Sequence, residues 1–299
     1  MTGNVSAFML YQQLGSSNLN ISRIGYGAWA LGGRGWGNYN EREARRALEA
    51  CLEHGINFFD TAPVYGFGRS EEVLGEALSA VRSDVVIGSK CGLVWNDSGH
   101  VRHDLSRDAL RRDLEASLKR LKTDYIDLYQ IHWPDRRTPI EETIEELISF
   151  QRSGIVRHIG VSNFSKQQLQ QACSCADIVS VQQLYNLLQR DAANDVLPVC
   201  RQKNLGFIAY SPLAQGILAG EMGSKNRPGR HDVRRRNPLY RNPEHFEQAL
   251  QYAQSLPQPQ SIAALKFLFA QPEVTCALIG MTQRRHVEIN LQALDCEQQ

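Results

Sequence analysis

Eight short apolar runs, each separated from the next by a segment of helical periodicity or a long loop, constrain this chain more than any other feature. The runs fall at 21–30, 56–60, 85–89, 125–131, 155–161, 178–182, 206–210 and 274–279. Between the first two, Ala44, Ala47, Leu48, Cys51 and Leu52 mark one face of a helix over 41–53, which Gly55 stops. Comparable spacings predict helices at 70–80, 106–121, 140–152, 165–174, 191–203 and 284–294. Such alternation implies parallel strands joined by right-handed crossovers.

An open doubly wound sheet and a closed barrel both satisfy that alternation. The glycine fingerprint of the doubly wound dinucleotide fold is absent, because Gly25-Tyr-Gly27 runs on to Ala30 and Gly66-Phe-Gly68 to Glu71. Successive runs instead end on ionisable side chains: 56–60 on Asp60 with Tyr65 beyond it, 85–89 on Lys90, and 125–131 on His132. In a barrel of parallel strands those ends share one rim, so the expected fold is α/β, a (β/α)8 TIM barrel.

Residues 11–22 contain Leu14-Gly-Ser-Ser-Asn-Leu19 between short β-like pieces, which predicts an N-terminal hairpin able to cap the barrel bottom. Residues 1–9 read as an untethered tail. No linker divides the chain, so 1–299 is expected to be one barrel domain. After the seventh strand comes a loop, 211–242, rich in Gly, Pro and Arg and too long for an ordinary connection. Gly32, Gly33, Gly35 and Gly37 form another irregular stretch, suited equally to an awkward turn and to close approach of a ligand.

Composition narrows the partners. Lys plus Arg number 33 against 32 for Asp plus Glu, which gives no reason to expect nucleic acid or an anionic membrane surface. The local run Arg234-Arg235-Arg236 reads as a solvated loop rather than a phosphate site. No apolar stretch of membrane-spanning length and no signal-like N-terminus is present, so a soluble, cytoplasmic protein is expected. Seven cysteines at irregular spacing fit free thiols in a reducing compartment. His100 and His103 lack the further ligands of a zinc site, and no metal is expected.

The four rim residues suggest a chemistry. A tyrosine hydroxyl, with a pKa of about 10, exchanges protons poorly at neutral pH, and a neighbouring lysine ammonium stabilises its phenolate. Asp60 can hold Lys90 charged and aimed, while His132 can orient a carbonyl or share its proton. Such a set suits protonation of a carbonyl oxygen while hydride arrives from elsewhere. No side chain supplies hydride, so a nicotinamide cofactor is implied. Taken singly each residue has an ordinary structural explanation; together the four are harder to dismiss.

Five segments, in order, resemble the aldo-keto reductase family: Asp60-Thr-Ala-Pro-Val-Tyr65-Gly66, Ser89-Lys90, Asp124-Tyr-Ile-Asp-Leu-Tyr-Gln-Ile-His132-Trp-Pro-Asp135, Gly160-Val-Ser-Asn-Phe164 and Tyr210-Ser-Pro-Leu-Ala-Gln-Gly216. Within the family the chain most resembles bacterial reductases related to general stress proteins. The resemblance implies a barrel that binds extended NADPH, NADH not being excluded, and reversibly reduces an aldehyde or ketone. It implies Asp60, Tyr65 as proton donor, Lys90 and His132 as the catalytic tetrad. By the same resemblance Ser162, Asn163 and Gln183 hold the nicotinamide carboxamide and Tyr210 stacks on the ring. Ser211, Leu213, Gln215 and Gly216 then follow the pyrophosphate, and Gly280, Met281, Thr282, Gln283, His286 and Asn290 complete the cofactor set.

This last stretch departs from the family pattern. Thr282 stands about where a cation meets the 2′-phosphate, and His286 where Gln or Arg is usual. Arg284 or Arg285 is the available substitute, since a guanidinium binds phosphate bidentately. If the barrel holds, Trp29, Trp36, Trp95 and Trp133 line the substrate pocket, predicting an aromatic or medium-sized apolar carbonyl compound. The expected partner is a small-molecule carbonyl or alcohol, the expected assembly a monomer or weak homo-oligomer. Competing readings are a cofactor-binding, redox-sensing regulatory subunit and a specialised biosynthetic step such as an epimerisation.

Overall fold

A computed structural model describes residues 9–37, 39–223 and 227–295. The tail expected at 1–9 thus lies outside the described residues except for Met9, which packs against the core. The hairpin is present: β1 (Tyr11–Gln13) pairs antiparallel with β2 (Asn20–Ser22). The run at 21–30 divides, with Ile21 in β2, β3 at Ile24–Gly27 and a short 3-10 helix at Ala28–Gly32.

Then follow α1 (Glu41–Glu53), β4 (Phe58–Asp60), α2 (Arg69–Leu78) and β5 (Val86–Cys91). A second hairpin, not anticipated, is formed by β6 (Leu93–Trp95) and β7 (Val101–His103). The pattern resumes with α3 (Arg107–Leu121), β8 (Ile126–Ile131), α4 (Ile140–Arg152), β9 (Val156–Ser162), α5 (Lys166–Cys175) and β10 (Ile178–Leu184). The helix expected over 191–203 is a 3-10 turn, Asp191–Ala193, and then α6 (Leu197–Lys203), because Pro198 suits a first turn and not an interior. After β11 (Gly206–Tyr210) come α7 (Pro238–Arg241), α8 (Pro243–Gln254), α9 (Gln260–Phe269), β12 (Val274–Ile279) and α10 (Arg284–Leu291).

Eight strands close into a parallel barrel in the order β3, β4, β5, β8, β9, β10, β11, β12 and back to β3. Their outward faces and the surrounding helices share one large core. Inside the barrel a separate cluster joins Phe58, Leu128, Val179, Ile208 and Cys276 to Leu14, Leu19 and Ile21 of the first hairpin. The hairpin therefore plugs the bottom, as expected. Its turn needs Gly15, at φ +56°, because a Cβ there would meet the Val179 carbonyl oxygen at 2.2 Å.

The six cysteines of the described residues are free. No helix among those residues is long and apolar enough to cross a membrane.

Candidate active site

The carboxyl ends of β4, β5 and β8, adjacent in the barrel, bring the four rim residues together. Lys90, fully buried on β5, donates to Asp60 Oδ1 and, at 2.9 Å, to the Thr61 carbonyl. The other carboxylate oxygen, Oδ2, accepts from Gln130 Nε2 at 2.9 Å and Gln182 Nε2 at 2.8 Å. Neither glutamine was singled out beside Asp60 in the sequence. Strand alternation is the signal that finds Gln130, two residues before His132 and on the same face.

Tyr65 lies beyond β4 in a loop that crosses the loop after β3. The crossing is tight: a Cβ on Gly66, at φ +63°, would sit 2.3 Å from the Gly32 carbonyl oxygen. One face of the Tyr65 ring stacks on Trp29, centroids 5.8 Å apart, and His132 meets it edge-on at 5.7 Å. The Lys90 ammonium stands 5.2 Å from the ring centroid. Asp60, Tyr65 and His132 face a common cavity of about 1190 Å³, whereas Lys90 lies behind them.

Burial sets the protonation states. It pushes the Tyr65 phenol well above its usual value, with the Asp60 charge adding to the rise, and the expected lowering by Lys90 does not appear. Burial also carries His132 well below the usual histidine value, assisted by the Lys90 charge and by His103, and leaves a neutral imidazole. For Lys90 the burial effect is downward and Asp60 opposes it.

Next along the rim, Asn163 at φ +58° donates to the His132 carbonyl at 2.9 Å and accepts from the Tyr210 hydroxyl at 2.8 Å. Ser162 donates to the Gln182 carbonyl at 2.9 Å. Ser162, Asn163 and Tyr210 all face the cavity, but Gln183 does not. Side chains alternate along β10, and Gln182 shares the inward face with Ser180 and Leu184. Gln182 is therefore the cavity residue, and the reading of Gln183 is corrected.

The expected pyrophosphate segment has unusual backbone. Ser211, Ala214 and Gln215 all have positive φ, at 51°, 47° and 56°, and Gly216 follows at 110°. Each such non-glycine residue costs on the order of 1 kcal/mol and persists where the surroundings over-determine it, often at a ligand site. Ser211, Leu213, Gln215 and Gly216 line the cavity, and Gln215 Oε1 is buried with no hydrogen-bond partner among the described residues.

Gly280, Thr282, Gln283, His286 and Asn290 line its far end. Met281 does not, since its side chain is fully buried in the core. Arg284 is bound to Glu53 and Glu288 and Arg285 to Glu221, and neither is on the wall. The wall cations are elsewhere: Arg34, Arg236 and Arg234, the last paired with Asp232. The run 234–236, read as a solvated loop, is thus partly cavity wall. It gets there because Val233 N donates to Gly35 O at 2.9 Å, joining the loop after β11 to the loop after β3.

Trp29, Trp36 and Trp133 line the cavity mouth; Trp95 stands behind, packed on Phe67 at 5.3 Å, and Phe67 takes its place.

A model of the Aldo/keto reductase family matches residues 23–298. The chain belongs to the aldo/keto reductase family. It is 35% identical over 293 residues to the aldo-keto reductase YhdN of Bacillus subtilis, covering 94% of this chain and 87% of that protein. To an NADH-specific methylglyoxal reductase of Escherichia coli it is 33% identical, covering 94% and 92%. A solved glycerol dehydrogenase from Gluconobacter oxydans superposes with a TM-score of 0.82 at 31% identity, covering 97% and 94%. As an aldo/keto reductase the chain is an oxidoreductase acting on carbonyl groups with a nicotinamide cofactor. The cavity fits that cofactor in size, in its buried unpaired Gln215 oxygen and in its run of positive-φ backbone.

Proposed function

We propose that this chain, as a single barrel domain, reduces an aldehyde or ketone to the alcohol, reversibly, with Tyr65 as the proton donor. The observation that carries the reading is the convergence of Asp60, Tyr65 and His132 on one cavity wall, with Lys90 paired to Asp60 behind it, from the ends of three adjacent strands. When bound, a reduced nicotinamide supplies the hydride.

Tyr65, kept neutral by burial, holds the proton that the carbonyl oxygen needs as negative charge develops on it. Neutral His132 offers a ring N–H to the same oxygen and carries no proton that would titrate away near neutral pH. Lys90 stands close enough to the Tyr65 ring to favour the phenolate formed after transfer, and Asp60, fixed by two glutamines, keeps Lys90 in place. Ser162, Asn163 and Gln182 offer amide and hydroxyl groups to a carboxamide, and Tyr210 an aromatic face beside Tyr65. Arg234 and Arg236 reach the wall near the positive-φ segment and suit a pyrophosphate.

The aromatic mouth of Trp29, Trp36, Phe67 and Trp133 favours a carbonyl compound with an apolar or aromatic flank. The names of the relatives, methylglyoxal reductase and glycerol dehydrogenase, put small polar compounds on the same panel. The test is a titration of tryptophan fluorescence with nicotinamide nucleotides, followed by that panel on wild type and Tyr65→Phe. Nucleotide binding in both proteins with turnover only in the wild type supports the reading; equal turnover in both sinks it.

A further inference from the structure

We propose that Glu221 selects the cofactor, accepting a hydrogen bond from the ribose 2′-hydroxyl of NADH and repelling the 2′-phosphate of NADPH. The inference rests on the proposed function, which puts the nicotinamide beside Tyr65.

The barrel order fixes where the other nucleoside goes. Strands β11 and β12 lie diametrically across the ring from β5 and β8, which carry Lys90 and lead into His132. The cavity runs from the Tyr65 and His132 wall across to the chain following β11 and β12, and on to α10. A dinucleotide reaching from Tyr65 through the positive-φ segment therefore ends against Glu221, Thr282, His286 and Asn290. Asn290 is only 4% exposed, faces the cavity and has no side-chain hydrogen-bond partner among the described residues, which suits an adenine edge or a ribose oxygen.

The charges at this end decide between the two nucleotides. Glu221 Oε1 lies 2.9 Å from His286 Nε2 and 3.4 Å from Arg285. The contact with His286 holds the Glu221 carboxyl below its usual range, so it is an anion at neutral pH. Arg285 and the His286 ring are thereby already engaged with this carboxylate, while Thr282 brings no charge. A 2′-phosphate brought here meets a carboxylate; a 2′-hydroxyl meets an acceptor. Arg234, the next cation on the wall, is held by Asp232.

The test is the dissociation constant of the whole protein for NADH and for NADPH, by calorimetry or tryptophan quenching, in wild type, Glu221→Gln and Arg285→Ala. Wild type is expected to bind NADH at least about tenfold tighter than NADPH. Glu221→Gln is expected to shrink that ratio at least about fivefold, chiefly by tightening NADPH, and Arg285→Ala to leave NADH the tighter ligand. Tighter NADPH than NADH in wild type overturns the proposal and leaves the reductase reading standing. So does an unchanged ratio in Glu221→Gln, or a loss of NADPH affinity in Arg285→Ala that exposes Arg285 as a phosphate ligand. Binding of neither nucleotide overturns the reductase reading, and the proposal with it.

Discussion

The two ends of the same eight strands are built on opposite principles. At the bottom, Leu14, Leu19 and Ile21 close the barrel with apolar contact, and Arg23 is bound to carbonyl oxygens, Phe269 among them at 3.1 Å, while stacking on the Phe269 ring at 4.9 Å. At the top the strands run out into left-handed backbone, buried ionisable groups and a cavity. The bottom contributes stability through packed apolar side chains and a paired arginine. The top gives up stability to keep reactive groups unquenched beside empty space.

That contrast can be broken by mutation. Tyr65→Phe, at the top, is expected to lower kcat/KM about a thousandfold or more, worth ~4 kcal/mol of transition-state stabilisation, with nucleotide affinity and melting temperature nearly unmoved. A comparable loss of melting temperature would make Tyr65 a packing residue. Leu14→Ala, at the bottom, is expected to cost about 3 kcal/mol in denaturant unfolding and to leave nucleotide affinity alone. If it weakened nucleotide binding as strongly, the two ends would not be separate devices.

Acid sharpens the comparison. The folded pKa of His132 is well below 6.5, so below about pH 6.5 the unfolded chain binds a proton that the folded chain refuses. The contribution is complete above that pH and is lost as pH falls towards the folded value, about 1 kcal/mol between pH 6.5 and 5.5. His132→Gln should remove that part of the slope, measured by unfolding at a series of pH values. For the same reason the wild-type reductive rate should show no loss from His132 protonation between pH 7.5 and 6.5. The smallest effect is expected at the strained segment: Ser211→Gly should raise stability by about 0.5 kcal/mol, as relief of the positive φ slightly exceeds the entropy cost of glycine, and weaken nucleotide binding a few-fold. A destabilised variant would show that the serine side chain matters more than the backbone.

Much of this was legible in the sequence, unevenly. Periodicity located α1 and α4 and strands β11 and β12 at their observed bounds, because burial on one face leaves a repeating mark. The hairpin plug was legible from its turn residues. Two helices in succession, α8 and α9, break the alternation and were not anticipated; nor was the β6–β7 hairpin, whose strands are three residues each. The identity of the rim residues could be read from strand ends, but which of two adjacent glutamines faces inward could not. A register shift near Ile178 and Ser180 makes counting along β10 unsafe, and only the packed barrel puts Gln182 against Asp60. Whether Arg234 and Arg236 meet water or a cavity depends on a contact with Gly35 some two hundred positions away in sequence, to which no local pattern points.

The joined loops carry one more consequence. Strand β12 lies between β11 and β3 in the ring, so the bond from Val233 to Gly35 joins the loops of two strands that are not themselves neighbours. A long ligand held between these loops would be gripped from both sides at once. Release of such a ligand is expected to be slow while that bond holds.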